Sequence, residues 1–140
     1  MSIRFEELEV GQELPRSLRS VTREDVIAYA KASGDHNPLH LDDEVARAAG
    51  FDRVIAHGMY TMGTLVSWLV EWLGDPSALI RLHVNFRAPV LVEENIVCGG
   101  RVRSLDPDRR VAVLEVWVTL DRDGVTEWPI RKSEAEIRPA

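Results

Sequence analysis

From Met59 to Leu73 the chain is apolar on nearly every side of a helix, and alternating runs follow it. Met59, Tyr60, Met62, Leu65, Val66, Trp68, Leu69, Val70, Trp72 and Leu73 leave Glu71 as the only charge in that stretch. A helix without a polar face is expected to be buried. Gly63 and Thr64 allow another backbone to come close, and Gly74-Asp75-Pro76 ends the helix. From Ala78 onward the period is two. Leu82, Val84 and Phe86 alternate with Arg81, His83, Asn85 and Arg87. Ile96-Val97-Cys98 leads through Gly99-Gly100 to Arg101-Val102-Arg103. Val111, Val113, Glu115, Trp117 and Thr119 face away from Ala112, Leu114, Val116, Val118 and Leu120. Turn signals separate these runs at Asp106-Pro107-Asp108 and Asp121-Arg122-Asp123-Gly124, and Thr126 to Ile137 alternates more weakly. Four strands joined by tight turns predict an antiparallel meander. Its apolar face needs a cover, and the apolar helix supplies one. The expected architecture is α+β: a curved antiparallel sheet wrapped around one long buried helix, in a single domain over residues 1–140.

Upstream, Phe5, Leu8, Val10 and Leu14-Pro15 mark a lead-in segment and one strand before Val21. Thr22-Arg23-Glu24-Asp25 has the form of a capping box, with both acids at the positive end of the helix dipole. Val26, Ile27, Tyr29 and Ala30 form the apolar face, and Gly34 is the stop. A second short helix, Glu44 to Ala49, is capped by Asp42 or Asp43 and closed by Gly50.

Between those helices lies Gly34-Asp35-His36-Asn37-Pro38-Leu39-His40. Pro38 forbids a regular helix, and Asn37 before it is pushed toward an extended backbone. Asp35 and His40 are therefore carried on an irregular loop, which can turn both side chains into one pocket. A carboxylate and an imidazole that converge can hold a water and move protons at neutral pH. Read singly, Asp35 closes the turn after the first helix and His40 caps the next. Read together, the string points to a catalytic pair.

His57-Gly58 begins the apolar helix. The first N–H groups of a helix have no internal partner and sit at the positive dipole end. Gly58 has no side chain to block approach, so a thioester or amide carbonyl could place its oxygen there and be held as it gains negative charge. A tight turn would also explain Gly58. Asn37 and His57 complete the candidate substrate-binding set, although Asn37 reads first as a turn-former and His57 first as a buried structural histidine. Trp68 and Trp72, four apart, read as core or as the wall of an apolar tunnel. Arg81, Arg87, Arg101, Arg103, Arg109 and Arg110 are either solvated strand residues or a surface for a phosphate or an acidic carrier protein.

Composition excludes several classes. A formal charge of −6 argues against nucleic acid and against a polybasic membrane anchor. The apolar run is shorter than the roughly 20 residues of a membrane span. Cys98 is the single cysteine, in the apolar run Ile96-Val97-Cys98, and reads as buried filler in a cytoplasmic protein. His36 and His40 are four apart, but Pro38 lies between them, and no cysteine cluster or His-Glu-x-x-His string is present. No phosphate-binding glycine loop or nucleophile elbow occurs. Neither a metal nor a cofactor is expected.

The run Tyr29-Ala30-x-x-Ser33-Gly34-Asp35-x-Asn37-Pro38-Leu39-His40, followed by Ala56-His57-Gly58-Met59, resembles the hydratase motif of the MaoC-like, (R)-specific enoyl-CoA hydratase family. Through Asp42-Asp43, Met62-Gly63 and Trp72-Leu73-Gly74-Asp75-Pro76 it is similar to the catalytic subunit of actinobacterial (3R)-hydroxyacyl-ACP dehydratases. The resemblance implies a hot-dog fold and reversible hydration of trans-2-enoyl thioesters of coenzyme A or acyl-carrier protein. It implies Asp35 and His40 as the catalytic pair, and Gly58 N–H as the group that binds the thioester oxygen. It also implies dimers with the site near the subunit interface. The sequence departs from the family at Val92-Glu93-Glu94-Asn95, where Gly-Asp is frequent, and at Val66-Ser67, where some members carry a substrate-facing serine. Two alternatives remain. A hot-dog thioesterase would need a carboxylate at the helix, and Glu71 is the only one there. A heterodimer subunit would have little activity alone.

Overall fold

The alternation in the C-terminal half becomes one antiparallel sheet in the computed structural model, which describes residues 1–140. Its strands are β1 (Ser17–Ser20), β2 (Leu79–His83), β3 (Asn95–Asp106), β4 (Val111–Arg122) and β5 (Val125–Ile137). They lie in the order β1-β3-β4-β5-β2. Along β4, Ala112, Leu114, Val116 and Val118 are fully buried, while Val113, Glu115, Trp117 and Thr119 are half-buried on the outer face. Burial of this one row supplies much of the sheet's share of the core.

The expected four-strand meander holds only for β3, β4 and β5. β2 does not neighbour β3; it pairs with β5, Leu82 opposite Ala135, at the far edge. Residues 84–94 therefore cross over one end of the sheet. The crossing is tied down by backbone bonds: Arg87 N–H to Pro129 O at 2.9 Å, Ala56 N–H to Val90 O at 2.7 Å and Val92 N–H to Val54 O at 3.0 Å. Arg122 and Glu94 pair at 2.7 Å beneath it, and Arg122 also donates to Pro89 O at 3.1 Å.

Three α-helices complete the fold: α1 (Arg23–Ser33), α2 (Asp43–Ala48) and α3 (Gly58–Leu73). The Thr22 capping box on α1 is complete, and Asp42 caps α2. Gly34 ends α1 at φ +79°, a left-handed conformation that turns the chain toward Asp35. α3 lies in the curve of the sheet, as expected, but it is not buried all round. Thr61, Leu65, Trp68, Leu69 and Leu73 form its buried stripe. Met59, Gly63, Ser67 and Glu71 are exposed on the opposite side, with Met62, Val66 and Val70 half-buried beside them. An apolar helix thus has one face packed and one face open.

Trp68 resolves to core. It is 3% exposed, and its indole Nε1 donates to Pro15 O at 2.8 Å. Cys98 is buried, and burial pushes its thiol up to about 11. No helix is long and apolar enough to cross a membrane.

Candidate active site

Pro38 sits in a short 3-10 turn, Pro38–His40, whose cap is Asn37. The Asn37 carboxamide oxygen accepts from Leu39 N–H at 3.0 Å, so it shapes the bend. Two steps earlier, Asp35 accepts from Asn37 N–H at 3.2 Å, and the Ser33 hydroxyl accepts from Asp35 N–H at 3.1 Å. These are the local side-chain turns that Ser, Asp and Asn favour. They fix the bend without help from a regular element.

The bend is then docked on residues 55–57. Ile55 N–H donates to Leu39 O at 3.1 Å, and His40 Nδ1 donates to Ile55 O at 2.7 Å. A carbonyl can only accept, so Nδ1 carries a proton, and in the neutral ring the lone pair is then on Nε2. His57 Nε2 donates in the same way to the backbone oxygen of Asp35 at 3.0 Å. The His40 and His57 rings stack at 3.9 Å, and Tyr29 meets His57 edge-on at 4.8 Å. His57 is 2% exposed, and its Nδ1 is buried without a partner. Asp43 adds a further tie: its carboxylate accepts from Val54 N–H at 3.0 Å and pairs with Arg23 at 3.1 Å. The Val54 hydrogen bond, then Arg23, hold that carboxyl below the usual carboxylate range.

The result brings the predicted pair together. One ligand atom each of Asp35, His40 and His57 lies within 4.8 Å of the others. Asp35 is exposed, His40 half-buried and His57 buried. The donor types suit a divalent cation, but the stacked rings are only 23° apart. Their in-plane lone pairs lie in two nearly parallel planes stacked one above the other, a poor match to the converging tetrahedral donors of a metal site. The same spacing suits a water between the exposed carboxylate and His40.

Gly58 opens α3, and its N-cap residue His57 makes no side-chain cap bond. Tyr60 and Thr61 N–H both return to His57 O, while the Gly58 and Met59 N–H groups have no protein acceptor. They are the orphan donors of a helix start. Gly58 and His40 line the same cavity of about 180 Å³, with Ile55, Ala56, Thr61, Phe86, Val90 and Pro129. A Cβ on Gly58 would rest 3.4 Å from the Phe86 ring. The protein tolerates that contact; a ligand that needs the same space does not.

Asp35, His40, Gly58 and His57 thus meet at one place. Asn37 shapes the bend through its carboxamide oxygen. The sequence reading did not single out Phe86, Val90 or Pro129, which arrive through the 84–94 crossing and β5. It did not single out Tyr29 as a partner of His57 either.

A family model described as the MaoC-like domain matches residues 6–120. The chain belongs to the MaoC-like family. As a MaoC-like domain it is similar to a 3-hydroxybutyryl-CoA dehydratase of Methylorubrum extorquens, 36% identical, covering 94% of this chain and 87% of that protein. It is also 36% identical to an (R)-specific enoyl-CoA hydratase of Aeromonas caviae, over 76% of this chain and 80% of the relative. Among solved structures, a MaoC-like dehydratase superimposes with a TM-score of 0.87 at 36% identity; the match covers 99% of this chain but 43% of that one. The expected hot-dog architecture is therefore the observed one.

Proposed function

We propose that this MaoC-like domain adds water to trans-2-enoyl thioesters, or removes it from (3R)-hydroxyacyl thioesters, using Asp35 and His40 as the catalytic pair. One observation carries the reading. His40 and Gly58, which begins α3 with an unpartnered amide, line a single cavity, and the Asp35 carboxylate lies within 4.8 Å of the His40 ring nitrogen. In hydration, water lies between Asp35 and His40 and gives them a proton as its oxygen bonds to the β-carbon. The electrons of the double bond move into the thioester carbonyl. The resulting enolate oxygen accepts from Gly58 N–H, with Met59 N–H beside it, at the positive end of the helix dipole. The pair then returns a proton to the α-carbon, and the carbonyl re-forms. Asn37 holds the bend, and His57 holds Asp35 and supports the His40 ring. The relatives named for these two directions of one reaction support this reading.

The cavity also bears on the acyl chain. Its lining along α3 stops at Thr61, one turn beyond Gly58, and Leu65 on the next turn is fully buried in the core. A short chain is the preferred substrate. The thioesterase alternative loses its carboxylate: Glu71 is about 20 Å along the helix from Gly58 at 1.5 Å per residue, and it pairs with Arg19 at 2.7 Å.

A second copy of the chain is the expected partner. It would cover the open face of α3 and the free edge of β2, where Met59, Ile80 and Phe86 are exposed. An exposed apolar strip beside an unpaired strand is a ready interface.

The reading is tested with purified protein and crotonyl-CoA. Loss of the enoyl absorbance with formation of 3-hydroxybutyryl-CoA is the expected result. Release of free thiol without hydration would overturn it. Sedimentation gives the oligomeric state, expected to be a dimer.

A further inference from the structure

Six arginines on or near the sheet stood out in the sequence as a possible anion surface. The structure divides them. Arg81 and Arg103 pair with Glu134, Arg101 with Glu115, and Arg110 with Glu6. These serve the fold. Arg109, in the turn between β3 and β4, and Arg87 make no ion pair; Arg87 stands beside two cations that no motif contained, Arg131 and Lys132, which also lack an acidic partner.

These three line a hollow of about 290 Å³ with Ala88, Glu127 and Trp128. Ala88 belongs to the wall of the acyl cavity too, and Pro129, another wall residue, follows Trp128 directly. The hollow therefore begins where the cavity ends. It continues past Trp128, Arg131 and Lys132 into a second depression of about 300 Å³ that reaches Trp117. The Arg131 guanidinium lies 4.6 Å from the centre of the Trp128 ring. The Trp117 indole packs against Gly99 of β3; a Cβ there would collide with its ring nitrogen.

The arrangement is built, not incidental to an alternating strand. Both Arg131 and Lys132 are exposed because β5 bulges between Ile130 and Ser133, opposite Val116 and Val118 of β4. Lys132 takes φ +51°, a conformation that costs a non-glycine residue about 1 kcal/mol. Asn85 holds the bulge in place: its Nδ2 donates to Lys132 O at 2.7 Å, and its N–H donates to the Ser133 hydroxyl at 2.8 Å. Ser133 is fully buried and donates to Arg131 O at 3.1 Å. Asn85 lies on the same strip that carries Phe86 and Ala88 into the cavity wall. The cations and the wall are therefore fixed to one another.

We propose that Arg87, Arg131 and Lys132, with Trp128 and Trp117, form the seat for the diphosphate and nucleotide end of coenzyme A. Three free cations meet the phosphates, and the tryptophans offer faces on which a base stacks. An acidic carrier protein fits less well. The chain carries a net charge of −6, and Glu127 and Glu115 lie within the same hollows. A compact phosphate group can reach the cations between those carboxylates, whereas a broad acidic surface meets the carboxylates as well. The inference rests on the cavity being a thioester site, and it names the carrier.

The test compares crotonyl-CoA with crotonyl-pantetheine, which has the same reacting group and no phosphate. In Arg131→Gln/Lys132→Gln, the ratio of kcat/KM for the two substrates is expected to fall by about tenfold or more, mainly through KM for the CoA thioester. A second readout does not depend on turnover: free coenzyme A titrated into the wild type, followed by tryptophan fluorescence and calorimetry. Saturable binding that Arg131→Gln/Lys132→Gln weakens by about tenfold, and that pantetheine does not reproduce, is expected. An unchanged substrate ratio together with unchanged coenzyme A affinity would overturn the proposal. So would a preference for the acyl-carrier-protein thioester that the same variant abolishes. If neither thioester is hydrated, the hydratase reading fails, and the titration still decides the coenzyme A seat.

Discussion

Two irregular stretches wall the cavity, residues 34–40 and 84–94, and they are held by opposite means. The first is fixed by its own side chains: Ser33, Asp35 and Asn37 each accept a backbone N–H two residues on. The second has few local ties of that kind. It is held from outside, by Val54, Pro129, Val21 and the Arg122–Glu94 pair. The first carries the proposed reacting groups and the second supplies shape. A site can be encoded locally in its chemistry and globally in its walls, and the two parts fail in different ways.

The largest effect belongs to the first stretch. Asp35→Asn and His40→Ala are each expected to lower kcat/KM for crotonyl-CoA by roughly 10²–10⁴-fold. The urea midpoint of Asp35→Asn should stay close to wild type, because that side chain is exposed and keeps an acceptor for Asn37 N–H, while His40→Ala should lose about 1 kcal/mol with its bond to Ile55 O. A rate within a few fold of wild type in either variant would break the contrast.

The second stretch should lose stability before chemistry. Glu94→Gln leaves Arg122 without its carboxylate in a site where the two side chains are 25% and 10% exposed. The expected cost is about 2–3 kcal/mol in urea unfolding. Activity per folded molecule should change much less than in Asp35→Asn.

His57 joins the two regimes, since it is buried in the core yet touches both members of the pair. His57→Phe keeps a ring under His40 but leaves the Asp35 carbonyl without its donor. His57→Gln keeps a donor and removes the ring. Each is expected to reduce kcat by about tenfold with little change in KM, from the loss of roughly one hydrogen bond or ring contact. If KM rises instead, His57 touches substrate and the positioning role is wrong.

Two smaller predictions sharpen the limits. Glu93 adopts φ +69° in the crossing, and its carboxylate accepts from Arg23 N–H at 3.1 Å. Glu93→Gly relieves the strained backbone and loses that bond, so stability should move by less than about 1 kcal/mol. Cys98 should not react with a thiol reagent in the native state. Its folded value near 11 lies above that of an exposed thiol, so the unreactive protonated form persists as pH rises through 8 and 9. Labelling at pH 8 should track unfolding alone.

The same division explains what could be read from the chain. The bend, the caps of α1 and α2 and the start of α3 rest on signals a few residues long, and each was legible. The alternation of β3, β4 and β5 was legible because one face is buried. The place of β2 was not: its pairing with β5 depends on the path of residues 84–94, which carries no local signal for a crossing. Phe86 and Val90 were hidden for the same reason. The apolar surface of α3 announced burial, but a single chain covers only one side of it. Arg131 and Lys132 gave no periodic clue, since a bulge had already broken the alternation around them. Glu93, in the turn where the resemblance led us to expect Gly-Asp, takes a left-handed backbone that glycine adopts at lower cost.

The central claim is that one carboxylate–imidazole pair serves both carbons from the same side, with the thioester oxygen held opposite by the start of α3. Hydration of crotonyl-CoA in deuterium oxide tests it most directly, with the product resolved by NMR. The account predicts (3R)-3-hydroxybutyryl-CoA with deuterium at C2 added to the same face as the hydroxyl, as a single diastereomer. Addition from opposite faces, or a mixture at C2, would contradict it.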